Sequence, residues 1–192
     1  MPTPAKTSLA ELVSIARGLV ETTGPDALTL GALAGKAGIK PPSLYKHFAD
    51  RAAVLKSVEI EVLHALEAYL RAMTQGETPK ARLMNMARAY RAWGKAKPNR
   101  YRAIYSGDAF NDAEILAACQ FSAQPLFEEL RAAGVAEARM LPLSRTLVAF
   151  MHGFTLMEIG NAFNLGGSVD EAFESSLETI LREVECAPTP PP

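Results

Sequence analysis

Between Leu28 and Lys56 the chain reads LTLGALAGKAGIKPPSLYKHFADRAAVLK, and the spacing of small residues in that stretch leaves few folds open. Two helices that cross steeply through a tight turn need a small residue where they touch. Four positions later they need a residue that accepts positive φ. Ala34 and Gly38 meet those two needs, and Ile39 and Leu44 are spaced to plug the gap between the helices. The helix that follows the turn is too short to be stable alone, so only packing on its neighbours can hold it. Leu44 and Phe48, at i and i+4, mark its inward side, which leaves Ser43, Tyr45, Lys46 and His47 outside.

The remaining segments carry helical periodicity, and no convincing strand is read. Ser8 to Thr23 sets Leu9, Leu12, Val13, Ala16, Leu19 and Val20 on one face, with Ser8 and Glu11 spaced as a capping box and Gly24-Pro25 as a stop. Thr29 caps a short second helix whose inner face holds Leu30, Leu33, Ala34 and Ala37. Gly38 ends it, and Pro42 to Phe48 forms the third. Pro42 disfavours the helical region at Pro41, so this helix is expected to start one residue late, with Lys40 a weak cap. Asp50 caps a long fourth helix with Leu55, Val58, Val62, Leu66, Tyr69 and Met73 in one stripe, and a loop follows at 75–79. Further helices are expected at Lys80–Lys95, from Pro98, from Asp112 to Gly134, from Leu143 to Phe163, and from the Gly166-Gly167-Ser168 turn to Glu185. The last two carry stripes at Leu143, Leu147, Phe150, Phe154, Met157 and Asn161, and at Phe173, Leu177, Ile180, Leu181 and Val184. The expectation is an all-α chain of about nine helices. Residues 1–50 form a helix-turn-helix head, 51–186 a helical body, and 187–192 a disordered proline-rich tail.

Charge adds a direction. The net charge is −1, but residues 1–56 balance at +3 and the remainder at −4. A basic head on an acidic body suits a molecule that offers one end to phosphates. Donors and a cation on a short exposed helix fit a DNA groove, where base edges are read and flanking donors grip phosphate. Cys119 and Cys186 lack metal-ligand spacing and suggest no disulfide framework, which points to a reducing cytoplasm. No signal peptide is read, and the uncharged stretch Thr146 to Met157 is too short to cross a bilayer.

The segment AGIKPPSLYKHFADRAAVL resembles the signature of the TetR family of regulators, in which Ala-Gly-apolar precedes a recognition helix ending Leu-Tyr-x-His-Phe. The resemblance covers about 50 N-terminal residues. It implies a three-helix DNA-binding head, a long fourth helix leading into a ligand-binding body, and a homodimer formed through the last two long helices. It also places Lys40, Pro41, Pro42 and Ser43 at the major groove. Tyr45, Lys46 and His47 would contact phosphate, joined by Thr29 from the start of the second helix and Lys56 from the start of the fourth. The chain departs from many members, which carry Ser and then Gly-Thr where this one has Lys40-Pro41-Pro42-Ser43. Prolines donate no N–H, so base readout there is expected to be apolar, against a thymine methyl. Gly31 and Gly35 lie on the outer side of the second helix. They allow close backbone approach to DNA or are simply tolerated there.

In the body, Phe150-Met151-His152-Gly153-Phe154 with Glu158 resembles the His-Gly element of a TetR subclass named for Trp, His and Gly, although the single tryptophan, Trp93, lies elsewhere. Tyr90, Trp93, Tyr105, Phe121, Phe150 and His152 are the candidates for contact with a small-molecule effector. Each is open to a second reading as core, since aromatics line pockets and cores alike. Residues 80–102 hold eight bases (Lys80, Arg82, Arg88, Arg91, Lys95, Lys97, Arg100, Arg102) and no acid. These are either a solvated face balanced by acids elsewhere or a site for an anion. No G-x-S-x-G, P-loop, H-E-x-x-H or dinucleotide-binding glycine pattern is present, and neither a cofactor nor a metal site is expected. The sum points to a cytoplasmic, non-enzymatic repressor that binds palindromic operator DNA as a dimer and is released by a small effector. The rival is an all-α small-molecule-binding or adaptor protein without specific DNA binding.

Overall fold

The computed structural model describes residues 7–104 and 112–185, the side chains of Glu183 and Glu185 excepted. The proline-rich tail expected at 187–192 lies outside the described residues. Every regular element among them is helical: α1 (Leu9–Thr23), α2 (Leu30–Ala37), α3 (Pro41–Leu44), α4 (Arg51–Met73), α5 (Pro79–Ala96), α6 (Pro98–Arg102), α7 (Ala113–Ser122), α8 (Gln124–Ala132), α9 (Glu137–Ile159) and α10 (Val169–Glu185).

The helix starts follow local chemistry. Ser8 and Glu11 form the reciprocal capping box of α1, which also holds the Glu11 carboxyl below its ordinary range through the Ser8 backbone and side-chain bonds. Asp50 caps α4 by accepting from Ala53 N at 2.9 Å, and Thr78 caps α5 by accepting from Ala81 N at 3.1 Å. Ser168 does the same for α10.

Three helices differ from the sequence reading, and each contains proline. The single helix expected from Asp112 to Gly134 is two, α7 and α8, broken at Ala123. Pro125, in the first turn of α8, lacks an N–H and, within one continuous helix, would crowd the carbonyl four residues back, which favours a new start there. The third helix is α3, a single turn at Pro41–Leu44. It starts one residue earlier than expected rather than later. Its two prolines occupy positions whose N–H groups have no intrahelical acceptor, so they cost no hydrogen bond. The helix expected from Leu143 to Phe163 begins at Glu137, takes Pro142 into its interior, and ends at Ile159. Pro142 lies on an exposed face, so the carbonyl it deprives of a partner can face solvent.

The chain divides into two compact units, and α4 contributes to both. The first takes residues 1–65 and 97–120, the second 66–96 and 121–192. The first unit is closed by Leu12, Ala16 and Val20 of α1 with Leu28, Leu33, Ala34, Leu44, Phe48, Val54, Val58, Val62, Leu63 and Tyr101. Here α1 packs on α2 and on α6, and α2 packs on α3. The buried line of α4 is Val54, Val58, Val62 and Leu66. It shares Val58, Val62 and Leu66 with the expected stripe, whose ends, Leu55 and Met73, are half-buried and exposed respectively.

In the second unit α5 packs on α8, α9 and α10. The buried face of α9 is Met140, Leu143, Ser144, Leu147, Met151 and Thr155. Phe150 and Phe154 are only partly buried, and Met157 is exposed. In α10, Phe173, Leu177, Leu181 and Val184 are buried along the expected stripe, with Ile180 half-buried at its edge. No helix among the described residues is long and apolar enough to cross a membrane.

Candidate nucleic-acid interface

The elbow between α2 and α3 is built by backbone hydrogen bonds around one glycine. Gly38 sits at φ 68°, ψ 26°, the left-handed region. Its N–H turns back to Gly35 O at 3.3 Å, and Ile39 N donates to Ala34 O at 3.1 Å. This double closure satisfies the last carbonyls of α2 and reverses the chain within two residues. Leu44 and Phe48 then point inward, at 0% and 3% exposure, and anchor α3. At the other end of α2, Thr29 Oγ1 accepts from Ala32 N at 3.1 Å.

Arg51, in the first turn of α4, holds the loop that leads into α2. Its guanidinium donates to the carbonyls of Leu28 and Pro25, each at 2.7 Å, and to that of Asp26 at 3.3 Å. Sequence reasoning missed this clip. The partners lie 23 to 26 residues away and are backbone atoms, which no side-chain pattern marks.

The inward anchors leave an outward surface. Lys40, Pro41, Pro42, Tyr45 and Lys46 are exposed, Tyr45 at 62%, and Thr29 is exposed at the start of α2. Ser43 and His47 are half-buried between them. Gly31 and Gly35 are exposed on α2. A Cβ at Gly35 would meet nothing within 4 Å, and one at Gly31 would meet only Thr29 Oγ1 at 3.9 Å, so internal packing does not explain either glycine. Lys56 is placed differently. Its Nζ lies 2.7 Å from Asp112 Oδ2 and 3.1 Å from Glu114 Oε2. Hydrogen bonds to these two carboxylates raise its pKa further. The cation expected to meet phosphate is therefore held in an internal ion pair. Asp112 serves twice, because its Oδ1 caps α7 through Glu114 N and Ile115 N.

In the second unit Tyr90 and His152 come together: the Tyr90 hydroxyl is 3.2 Å from His152 Nδ1. Burial pushes the imidazole below its ordinary pKa, so it is neutral near pH 7. Trp93 is buried one turn along α5 from Tyr90, and Phe121 is exposed at 38%. Phe150 belongs to a ring cluster, 5.3 Å from Phe173 and 5.6 Å from Phe154. Tyr105 lies outside the described residues.

Arg91 crosses the same cluster, with its guanidinium carbon 4.8 Å from the Phe173 centroid and 5.6 Å from that of Phe154. It donates to both oxygens of Glu158, at 2.6 and 2.8 Å, and to Asp170 at 2.6 Å. Burial works against ionisation of Glu158, but the bonds from Arg91 and Lys95 outweigh it and hold the carboxyl below its ordinary range.

The basic run at 80–102 is thereby largely accounted for. Arg82 pairs with Glu129, Arg88 with Glu174, Arg91 and Lys95 with Glu158, and Lys97 with Glu21. The acids that balance this run come from elsewhere in the chain. Among the described residues no group of His, Cys, Asp and Glu is arranged to hold a metal ion.

A three-helix head with a glycine elbow, an exposed α3 flanked by Lys40, Tyr45 and Lys46, and a helical body have the architecture of a helix-turn-helix DNA-binding regulator. Comparison with known proteins gives the family. Residues 12–58 match the family model for bacterial regulatory proteins of the tetR family, and residues 83–180 match that of the tetracyclin repressor-like C-terminal domain. An uncharacterised HTH-type transcriptional regulator of Mycobacterium tuberculosis is 31% identical over 160 residues, spanning 81% of this chain and 72% of that protein. Among solved structures, a protein of unknown function from Rhodococcus sp. RHA1 superposes with a TM-score of 0.75 at 23% identity, covering 92% and 95% of the two chains. BioQ, crystallised with its double-stranded DNA operator, superposes at 0.66 and 20% identity, covering 93% and 98%. The chain belongs to the TetR family of DNA-binding transcriptional regulators, a family without enzymatic activity.

Proposed function

We propose that this regulator is a cytoplasmic repressor that binds a palindromic operator as a homodimer and leaves it when a small molecule occupies the body. The observation that carries the reading is the surface of the first unit. Buried Leu44 and Phe48 fix α3 so that Lys40, Pro41, Pro42, Tyr45 and Lys46 stand exposed together, with Ser43 and His47 at their edge. In this reading α3 enters the major groove. Tyr45, Lys46, His47 and Thr29 then hold phosphates, and the two heads of a dimer stand roughly 34–36 Å apart to meet successive groove faces.

Self-association through α9 and α10 is supported by apolar side chains that α9 leaves in solvent, Leu141, Leu156 and Met157. A separate groove of about 450 Å³ lies between α9 and α10, lined by Arg139, Pro142, Leu143, Thr146, Thr179 and Ile180. The effector reading rests on the Tyr90–His152 pair. Tyr90 and His152 set two polar groups 3.2 Å apart, an uncharged hydrogen-bonding pair of the kind that orients a ligand in an apolar pocket. Trp93, Phe121 and Phe150 would supply the apolar surround. The His152-Gly153 element with Glu158 is what supports reading the body as the Trp-His-Gly subclass. Because ligand and operator act on one protein, each weakens the other by the same factor.

The test is the salt dependence of binding to the DNA upstream of the protein's own gene. Lys46→Ala should lower the log–log salt slope by about 0.9 for each phosphate it no longer neutralises. Lys56→Ala should leave that slope unchanged, because Lys56 is already paired with Asp112 and Glu114. A protein that binds no DNA in a salt-sensitive manner would instead be a ligand-binding or adaptor protein.

A further inference from the structure

We propose that this regulator reads its operator through thymine methyl groups, using the rings of Pro41 and Pro42 as the specificity-determining surface. The inference rests on the reading that α3 enters the major groove, and it concerns what the helix can recognise once there. Four observations lead to it. Both prolines are exposed, although they begin a helix whose next residues turn inward. Neither has a backbone N–H, and the Ser43 N–H is taken by Lys40 O at 2.9 Å. Lys40 makes no side-chain capping bond, so no cap side chain is fixed across the turn. Ser43, the first side chain in α3 with a hydroxyl, is half-buried.

The leading edge of α3 is therefore closed to hydrogen-bond readout from its backbone and presents carbon instead. In the major groove the base edges offer N7, O6 and O4 acceptors, amino donors, and one apolar group, the C5-methyl of thymine. A surface that cannot donate gains nothing from an acceptor and would strip water from a donor without replacing it. Against the methyl it loses no hydrogen bond and removes apolar area from water. The chemistry therefore selects thymine, and 5-methylcytosine in its place would present the same carbon.

The experiment begins with selection of bound sequences from a random duplex pool by the full-length protein. Each thymine of the recovered half-site is then replaced singly by deoxyuridine, which removes only the methyl. At one or two thymines per half-site the affinity should fall about fourfold, the worth of one methylene-sized group withdrawn from water. Cytosine at those positions should bind weakly, and 5-methylcytosine should recover part of the loss. In Pro41→Ala and Pro42→Ala, verified as folded by their melting curves, the deoxyuridine penalty should shrink at the thymine each ring covers.

If binding is sequence-selective and salt-sensitive but indifferent to deoxyuridine at every position, the methyl readout is overturned while α3 remains the reading helix. A deoxyuridine penalty that persists undiminished in both proline variants would assign the methyl contact to other residues and overturn the role of the rings. If no duplex is selected at all, the underlying DNA-binding reading fails.

Discussion

At the scale of single residues, backbone conformation and proton affinity decide what can change. Gly38 stands at positive φ, yet a Cβ there would meet nothing within 4 Å. Gly38→Ala should therefore cost only the left-handed backbone penalty, about 1–2 kcal/mol, readable as a lower urea midpoint with an unchanged m-value. His152 has the opposite dependence on its surroundings. Burial depresses its pKa in the folded state, so as pH falls below its ordinary value of 6.5 the unfolded chain takes up a proton that the folded chain refuses. Stability is lost on acidification through that window until the depressed value is reached. His152→Phe should flatten the acid limb of a stability-against-pH curve below pH 6.5. Gly38 and Ser8–Glu11 were legible in the sequence because their partners lie within a few residues. Arg51 was not, because it donates to carbonyls 23 to 26 residues away.

At the scale of elements, helix existence was read well and helix length was governed by proline. Pro98 opens α6 as the sequence implied, but Pro125 divides a helix that looked continuous, and Pro142 is tolerated where it looked like a start. The difference is position: a proline in a first turn lacks a bond that would be missing anyway, whereas an interior one needs an exposed face. The tie among α5, α9 and α10 makes a firm prediction. Arg91 is 11% exposed, clasps Glu158 with both ends of its fork, and lies over two phenyl rings. Asp170 is 80% exposed and adds little. Arg91→Met keeps much of the apolar stem but leaves Glu158 to Lys95 alone. It should lower unfolding free energy by about 2 kcal/mol, and Glu158→Gln in the same background should recover part of it in a double-mutant cycle.

At the scale of the whole molecule, the amphipathic periods disclosed an all-α chain, but they did not disclose which faces meet. The stripes expected on α4 and α9 held at Val58, Val62 and Leu66 and at Leu143 and Leu147 but strayed toward their ends, because a helix with apolar side chains on several sides does not announce which side is inner. The side chains left over on α9 are those the dimer reading uses. Met157→Glu or Leu156→Glu should convert a dimer to a monomer in sedimentation velocity and weaken operator binding, with helix content retained. The pairing of residues 80–102 was likewise hidden, since Arg88 and Glu174 are 86 positions apart. That pairing has a kinetic consequence. With most of those cations engaged by the chain's own carboxylates, long-range attraction to a polyanion falls on exposed cations such as Lys40 and Lys46, which flank α3. Diffusional encounters are thereby biased toward a productive orientation before any base is touched, and added salt should slow arrival at DNA more than it hastens departure.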